Sequence, residues 1–506
     1  MKELFQLPTM KKRVLSILLC IAVLFSSAQM FAFSASAASV SSSLTEKCDC
    51  GYDPIIYIHG FGNPLYMNYG AENEKEIWVP EKDVLMNGIK KLVPKFFKFM
   101  FTRDYRAFAL AVKDFAFDLL TPIMCDDNGD SILDGISAAY TEPTGDHPKN
   151  TVKIYYYDWR LDVYDNADML RDFINKVKAA TGHDKVALDS ESMATSITVS
   201  YLLKYGYDDV SALIFRSGAW NGISFMGEAL SGRMTSCPES LTGYLQDFVM
   251  GREAKNVFFR FLIGSVGQVV IAPLSRLIDN LFKKAPDILY DDCLLKIYGN
   301  MPGVWSFVPD EDYESAKKFA LDENKNAVLI EKIDRYHNEV RPKIKEIVSN
   351  AMSKNINVAI ISNYGMYGVP ATENYTYQSD FMVDTKFSSC GATCSELNKP
   401  LPEGYVQKVD DGHNHMSPDL QIDASTCMFP EYTWFVKGMI HTFFNDGYRE
   451  MTYKIIYADH QMNVFEDEKY PQFMVNDDKH KTIVPMTADN SELLTKAELL
   501  KIRKSR

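Results

Sequence analysis

Apolar residues along this chain gather into short unbroken runs separated by longer, periodic segments. The runs are Pro54-Ile-Ile-Tyr-Ile58, Val152-Lys-Ile-Tyr-Tyr-Tyr157, Val186-Ala-Leu188, Ala212-Leu-Ile-Phe215, Val358-Ala-Ile-Ile361 and Tyr432-Thr-Trp-Phe-Val436. Strands buried on both faces read this way, so each run predicts a strand of a mostly parallel sheet. The intervening segments at 83–122, about 163–180 and 193–205 carry helical spacing. Strand alternating with helix implies a sheet covered on both faces, an α/β fold. From about 222 to 345 the pattern turns helical and apolar, notably at Val257-Phe-Phe-Arg-Phe-Leu-Ile263 and Val269-Val-Ile-Ala272. Together with 83–145, this predicts a helical cap laid over the sheet, within one domain spanning 51–506.

The amino-terminal pattern is different. Lys11, Lys12 and Arg13 precede an apolar run to Phe25, followed by Ala35-Ser-Ala37-Ala38. That order predicts a secretory signal over 1–37, an exposed leader over 38–50 and a secreted protein. With Cys20 removed from the nine cysteines, eight remain, an even number that in an exported chain predicts disulfide bonds. Cys48-Asp-Cys50 and Cys390-Gly-Ala-Thr-Cys394 lack a partner pair at zinc spacing, so no metal is assigned to them. The formal charge of −13 argues against a nucleic-acid partner. Aromatic residues make up 12% of the chain, enough to line large apolar pockets.

Chemistry concentrates where the 186–188 strand runs into a helix: Val186-Ala-Leu-Asp-Ser190-Glu-Ser192-Met-Ala194. A nucleophile elbow needs small residues two before and two after the serine, because the turn is tight; Ser190 and Ala194 meet this, and Ser192 is the candidate nucleophile. Gly222-Ile-Ser224-Phe-Met-Gly227 has the wrong spacing and no strand directly before it, and reads as a loop after the fourth strand. His59-Gly60-Phe61-Gly62 follows the first strand, and the backbone N–H groups of Phe61 and Met193 are the candidate oxyanion hole.

These segments, taken in order, resemble the lecithin:cholesterol acyltransferase and lysosomal phospholipase A2 family of α/β-hydrolases. Pro54-Ile-Ile-Tyr-Ile-His-Gly-Phe-Gly-Asn-Pro-Leu65 is similar to the family's PVILVPGxxGNxL stretch, and Tyr157-Asp-Trp-Arg160 to its Y-D-W-R block. Met301-Pro-Gly-Val-Trp-Ser-Phe-Val-Pro309 is similar to its lPS…LLP stretch, and Ser379-Asp-Phe-Met-Val383 to G-D-G-T-V. Glu191 stands where the family has histidine, and the G-D-G-T-V glycines are replaced. The resemblance implies an α/β-hydrolase fold and acyl chemistry on lipid-like esters.

A serine hydroxyl becomes nucleophilic when a histidine takes its proton and a carboxylate orients that histidine. The order in this fold is serine, acid, histidine. Asp380 occupies the family's acid position, with Asp384 as rival. His441 follows the strand at 432–436, read as the last of the sheet, and is the candidate base; His415 and His413, in the loop at 410–419, are the alternatives. Asp126-Asp-Asn-Gly-Asp130 resembles part of a calcium loop, but Ser137 stands where the bidentate Glu belongs, so a solvated turn is expected. The reading is a secreted serine hydrolase or acyltransferase that uses no cofactor, with a lipid or ester substrate and a membrane or lipid surface as partner. The other readings are an esterase on cell-wall or glycan acyl groups and a non-catalytic binding protein of the same fold.

Overall fold

A computed structural model of the chain describes residues 47–491 except 79, 148–150, 237, 240, 243–274 and 374–375. The signal segment, Cys20, Cys237 and the two apolar runs at 257–263 and 269–272 lie outside the described residues. All six sequence-predicted strands are present in one sheet of eight: β1 (Ile55–Ile58), β2 (Lys153–Tyr155), β3 (Val186–Glu191), β4 (Val210–Arg216), β5 (Asn357–Tyr364), β6 (Thr433–Lys437), β7 (Phe473–Asp477) and β8 (Thr482–Pro485). Their order across the sheet is β8-β7-β6-β5-β4-β3-β1-β2. Every neighbouring pair is parallel except β7 with β8. The chain starts near one edge, steps outward to β2, then returns across β1 and builds the other half. The elbow strand β3 thus lies inside the sheet, between β1 and β4.

Residues of β3, β4 and β5 are buried on both faces, which is why their runs are unbroken rather than alternating. One face packs Leu188, Leu213 and Val358 against the helices Val163–Thr181 (α3), Ala194–Tyr205 (α4) and Ile344–Ser353. The other packs Ala187, Ile214 and Ile361 against Tyr448, Met451 and Ile455 of the helix Asp446–Ile456. Asp162 caps α3 by accepting from the Tyr164 N–H, and Gly182 closes it at φ 70°. With helices on both faces of a mostly parallel sheet and a strand–serine–helix turn inside it, the chain has the α/β-hydrolase fold.

The cap has two described parts. An antiparallel pair of helices, Lys82–Thr102 (α1) and Tyr105–Leu120 (α2), packs through Phe96, Phe99, Phe108 and Phe115. Beside it runs a π-helical segment, Asp287–Gly299, tied to α2 by the Arg106–Asp287 ion pair. A separate three-stranded antiparallel sheet is formed by 65–67, 75–78 and 136–138.

Three readings of the sequence are corrected. The strand at 432–436 is not the last, because β7 extends the sheet beside it and β8 adds an antiparallel edge. The stretch after Gly222 is not a loop: Ser224–Leu230 is a helix, entered through the left-handed Gly222 at φ 78°. The even cysteine count does not translate into bonds, since the seven described cysteines are all free. Cys125 and Cys293 are buried in the apolar core, where a thiol packs as a small hydrophobe. Asp126 turns the 126–130 loop by accepting from the Asn128 and Asp130 N–H groups, and Lys325 and Lys332 pair with Asp127 and Asp130. Among the described residues no helix is long and apolar enough to cross a membrane.

Candidate active site

β3 delivers Ser192 to the carboxyl edge of the sheet in a left-handed conformation, φ 54°. A β-carbon at positive φ is strained, and such strain persists only where neighbours over-determine it. Here the Ser192 N–H donates to the Arg216 carbonyl at 3.0 Å, and the Ser192 carbonyl accepts from Thr195 and Ala219. The small residues do the work expected of them. Ser190 bonds Thr198 across the turn at 2.7 Å, and Ala194 is fully buried. Gly60 passes so close that an added β-carbon would lie 3.0 Å from the Ser192 β-carbon and 3.3 Å from the Glu191 carbonyl oxygen.

Both candidate oxyanion donors sit at this point. Met193 is the N-cap of α4, where the helix's first N–H groups converge and favour negative charge. Phe61 lines the same cavity as Ser192. Among the described residues, the backbone N–H of neither Phe61 nor Met193 donates to a protein acceptor. The Phe61 ring packs on Trp159 at 4.3 Å, and Trp159 donates to the Asn63 carbonyl at 3.1 Å. Arg160 grips Asp158 through two bonds of 2.9 and 2.6 Å, and its carbonyl accepts from Gly303. A β-carbon on Gly303 would come within 2.1 Å of the Trp159 carbonyl oxygen. The Y-D-W-R block and the 301–309 stretch are therefore packed together as the brace behind the Phe61 loop.

The candidate acid and base are held as a pair. His441 Nδ1 lies 2.7 Å from Asp380 Oδ2, and the His441 N–H donates to the Asp380 carbonyl at 3.0 Å. The other carboxylate oxygen of Asp380 accepts from the N–H groups of Met382 and Val383. Between Asp380 and these donors, Phe381 adopts φ 85°, a glycine-like conformation at the position where G-D-G-T-V has its second glycine. His441 lines the cavity together with Ser192, Gly60, Phe61 and Glu191. The rivals are placed elsewhere. Asp384 accepts from the Ser224 N–H at 2.8 Å and precedes a short helix. His415 is buried with both ring nitrogens engaged, one by Gln472 and one by Asp411, each at 2.9 Å. His413 is exposed and stacks on Phe465.

Two residues missed by sequence reasoning complete the electrostatics. Asp189 and Arg216, on adjacent strands, form a buried ion pair beneath the elbow, and the guanidinium lies 4.5 Å from the Phe444 ring centre. A charge inside each of two apolar strands was the available signal. Glu191, one residue before Ser192, is 1% exposed. Burial pushes its carboxyl up to about 7, against the opposing pull of His441 and Arg216 and with a further push from Asp380. Burial lowers the His441 imidazole, but Asp380 beside it and Glu191 across the site outweigh this, so its pKa is raised above the ordinary value.

Beyond these groups the cavity is apolar. Val112 of α2, Leu289, Leu294 and Ile297 of the π-helical segment, Phe225 and Met226 of the 224–230 helix, and Met382 line it. The carboxyl edge of the sheet thus holds a strained serine, a histidine–carboxylate pair, two unengaged N–H groups and an apolar chamber roofed by the cap.

No family model and no curated protein matches the chain. Among solved structures it is similar to one described as "The crystal structure of Tle4-Tli4 complex", at 13% identity, over 62% of this chain and 75% of that chain, with a TM-score of 0.25.

Proposed function

We propose that this protein is a serine-dependent acyl hydrolase or acyltransferase acting on esters with an apolar acyl chain. The observation that carries the reading is that Ser192 and His441, the latter held by Asp380, line one cavity whose other walls are, Glu191 apart, apolar. In this reading Ser192 Oγ attacks the ester carbonyl while His441 takes its proton. Asp380 keeps the imidazole in the tautomer with hydrogen on Nδ1. The negative oxygen of the tetrahedral intermediate accepts from the N–H groups of Phe61 and Met193. His441 then protonates the leaving alcohol, and water or an acceptor alcohol releases the acyl group by the reverse path.

Kinship with the lecithin:cholesterol acyltransferase and lysosomal phospholipase A2 family is part of the proposal. It is supported by the mutual packing of the motif blocks and by the glycine-like backbone at Phe381. A lipid-like substrate, presented at a membrane or micelle surface by a secreted enzyme, follows from that kinship and from the apolar chamber.

The test is a series of p-nitrophenyl esters from acetate to decanoate. Burying each methylene contributes about 0.8 kcal/mol, so kcat/KM is expected to rise up to about fourfold per added methylene until the chamber is filled. A maximum at acetate would instead assign the protein to short acyl groups such as those on glycans.

A further inference from the structure

The described end of the leader, residues 47–50, is docked at the amino end of β3, far from the elbow. The Cys48 N–H donates to the carbonyl of Gly182, the residue that closes α3, at 2.9 Å. Lys47 pairs with Asp184 just beyond. These contacts bring Cys48 and Cys50 to His183, which is more than a hundred residues away in sequence. The two Sγ atoms and a ring nitrogen of His183 all lie within 4.8 Å of one another. Cys50 Sγ stands 3.4 Å from His183 Nε2. A tetrahedral zinc ion with Zn–S of about 2.3 Å and Zn–N of about 2.0–2.1 Å separates a sulfur and a nitrogen ligand by roughly 3.6 Å. The observed spacing is close to that of a ligand edge.

We propose that Cys48, Cys50 and His183 form a binding site for a soft divalent cation of the zinc type. One feature besides the spacing points to a ligand. His183 is 8% exposed, and among the described residues its Nδ1 has no hydrogen-bond partner, so neither ring nitrogen is anchored by the usual carbonyl or carboxylate. Thiolate and imidazole are the donors that select zinc over magnesium or calcium. Binding converts two thiols to thiolates and releases two protons, and the neutral imidazole donates from Nε2. Three protein ligands leave one tetrahedral position for water.

The site stands apart from the elbow. His183 precedes the amino end of β3 and Ser192 follows its carboxyl end, so the six-residue strand puts roughly 20 Å between the two sites. The ion would clip the leader to the α3–β3 turn. The spacing of the cysteines alone conceals the site, because the third ligand belongs to a different segment.

The experiment is metal analysis of the purified full chain, kept reduced, followed by Co²⁺ titration. About one zinc per chain and a thiolate-to-Co²⁺ charge-transfer band are expected, together with faster proteolysis of the leader after chelation. Cys48→Ser and Cys50→Ser, both at partly exposed positions, are expected to weaken Co²⁺ binding at least tenfold while ester hydrolysis stays unchanged. His183→Ala is expected to weaken it comparably. A reduced, folded chain that takes up no zinc, or Co²⁺ spectra lacking the thiolate band, would overturn the proposal. So would a Cys50→Ser variant that binds Co²⁺ like the parent.

Discussion

Two buried histidines, His441 and His415, each hold an aspartate, and they are built to opposite ends. His441 meets Asp380 at 2.7 Å and His415 meets Asp411 at 2.9 Å, so distance alone does not separate them. The His415 ring has its second nitrogen bound to Gln472, and neither it nor Asp411 reaches the cavity. The His441 ring is held through Nδ1, by a carboxylate itself fixed by two backbone N–H groups, and it borders the space beside Ser192. A general base needs one nitrogen for orientation and its other edge turned toward substrate. A ring satisfied on both sides is a structural tie, whatever its partner.

The largest effect that sharpens this comparison comes from exchanging the two histidines' fates. His441→Ala is expected to lower kcat/KM about 10⁴-fold. His415→Ala is expected to leave kcat/KM within a few-fold and to cost about 1–3 kcal/mol in denaturant unfolding, because the buried Gln472 loses its partner and the exposed Asp411 its bond. Reversal of these two outcomes would break the account. A smaller effect is expected from Gly60→Ala. Its β-carbon would press on Ser192 and displace the Phe61 N–H, and a drop of about 10²-fold in kcat at near-constant KM is expected.

A subtler test concerns Glu191, which borders only the His441 pair. Its ionised form raises the His441 pKa, so Glu191→Gln is expected to move the acid limb of the kcat/KM profile to lower pH. Stability should respond too. A carboxyl raised from 4.5 to about 7 in the folded state binds a proton there that the unfolded chain has already lost. The wild type therefore loses up to roughly 3 kcal/mol as pH rises from 4.5 through 7, and does not regain it above. Glu191→Gln should gain stability relative to wild type over that window, read as a Tm difference growing from pH 5 to pH 8. An unchanged limb and a pH-independent Tm difference would remove Glu191 from the site's electrostatics.

The same contrast explains what was legible in the sequence. The interior strands β1, β3, β4 and β5 announce themselves because burial on both faces forces unbroken apolar runs. β7 and β8 mix polar residues such as Asn476, Asp477 and Thr482 into short edge segments, and the strands at 65–67 and 136–138 are too brief to show a period. Ser192 was visible from its small neighbours and its place between strand and helix. The pairing of His441 with Asp380 agrees with chain order, whereas the ties of Gln472 and Asp411 to His415 arise only through folding. Glu191 was visible as a departure from a motif; its environment depends on Arg216, His441 and Asp380, from three other segments. Cysteine parity misled, because it counts thiols without asking which ones face each other.

The most direct test of the central claim is labelling of the purified protein with a fluorophosphonate, located by mass spectrometry. The account predicts a single adduct on the peptide carrying Ser192, absent in a folded Ser192→Ala variant and strongly slowed by His441→Ala. An adduct elsewhere, or undiminished labelling of Ser192→Ala, would contradict it.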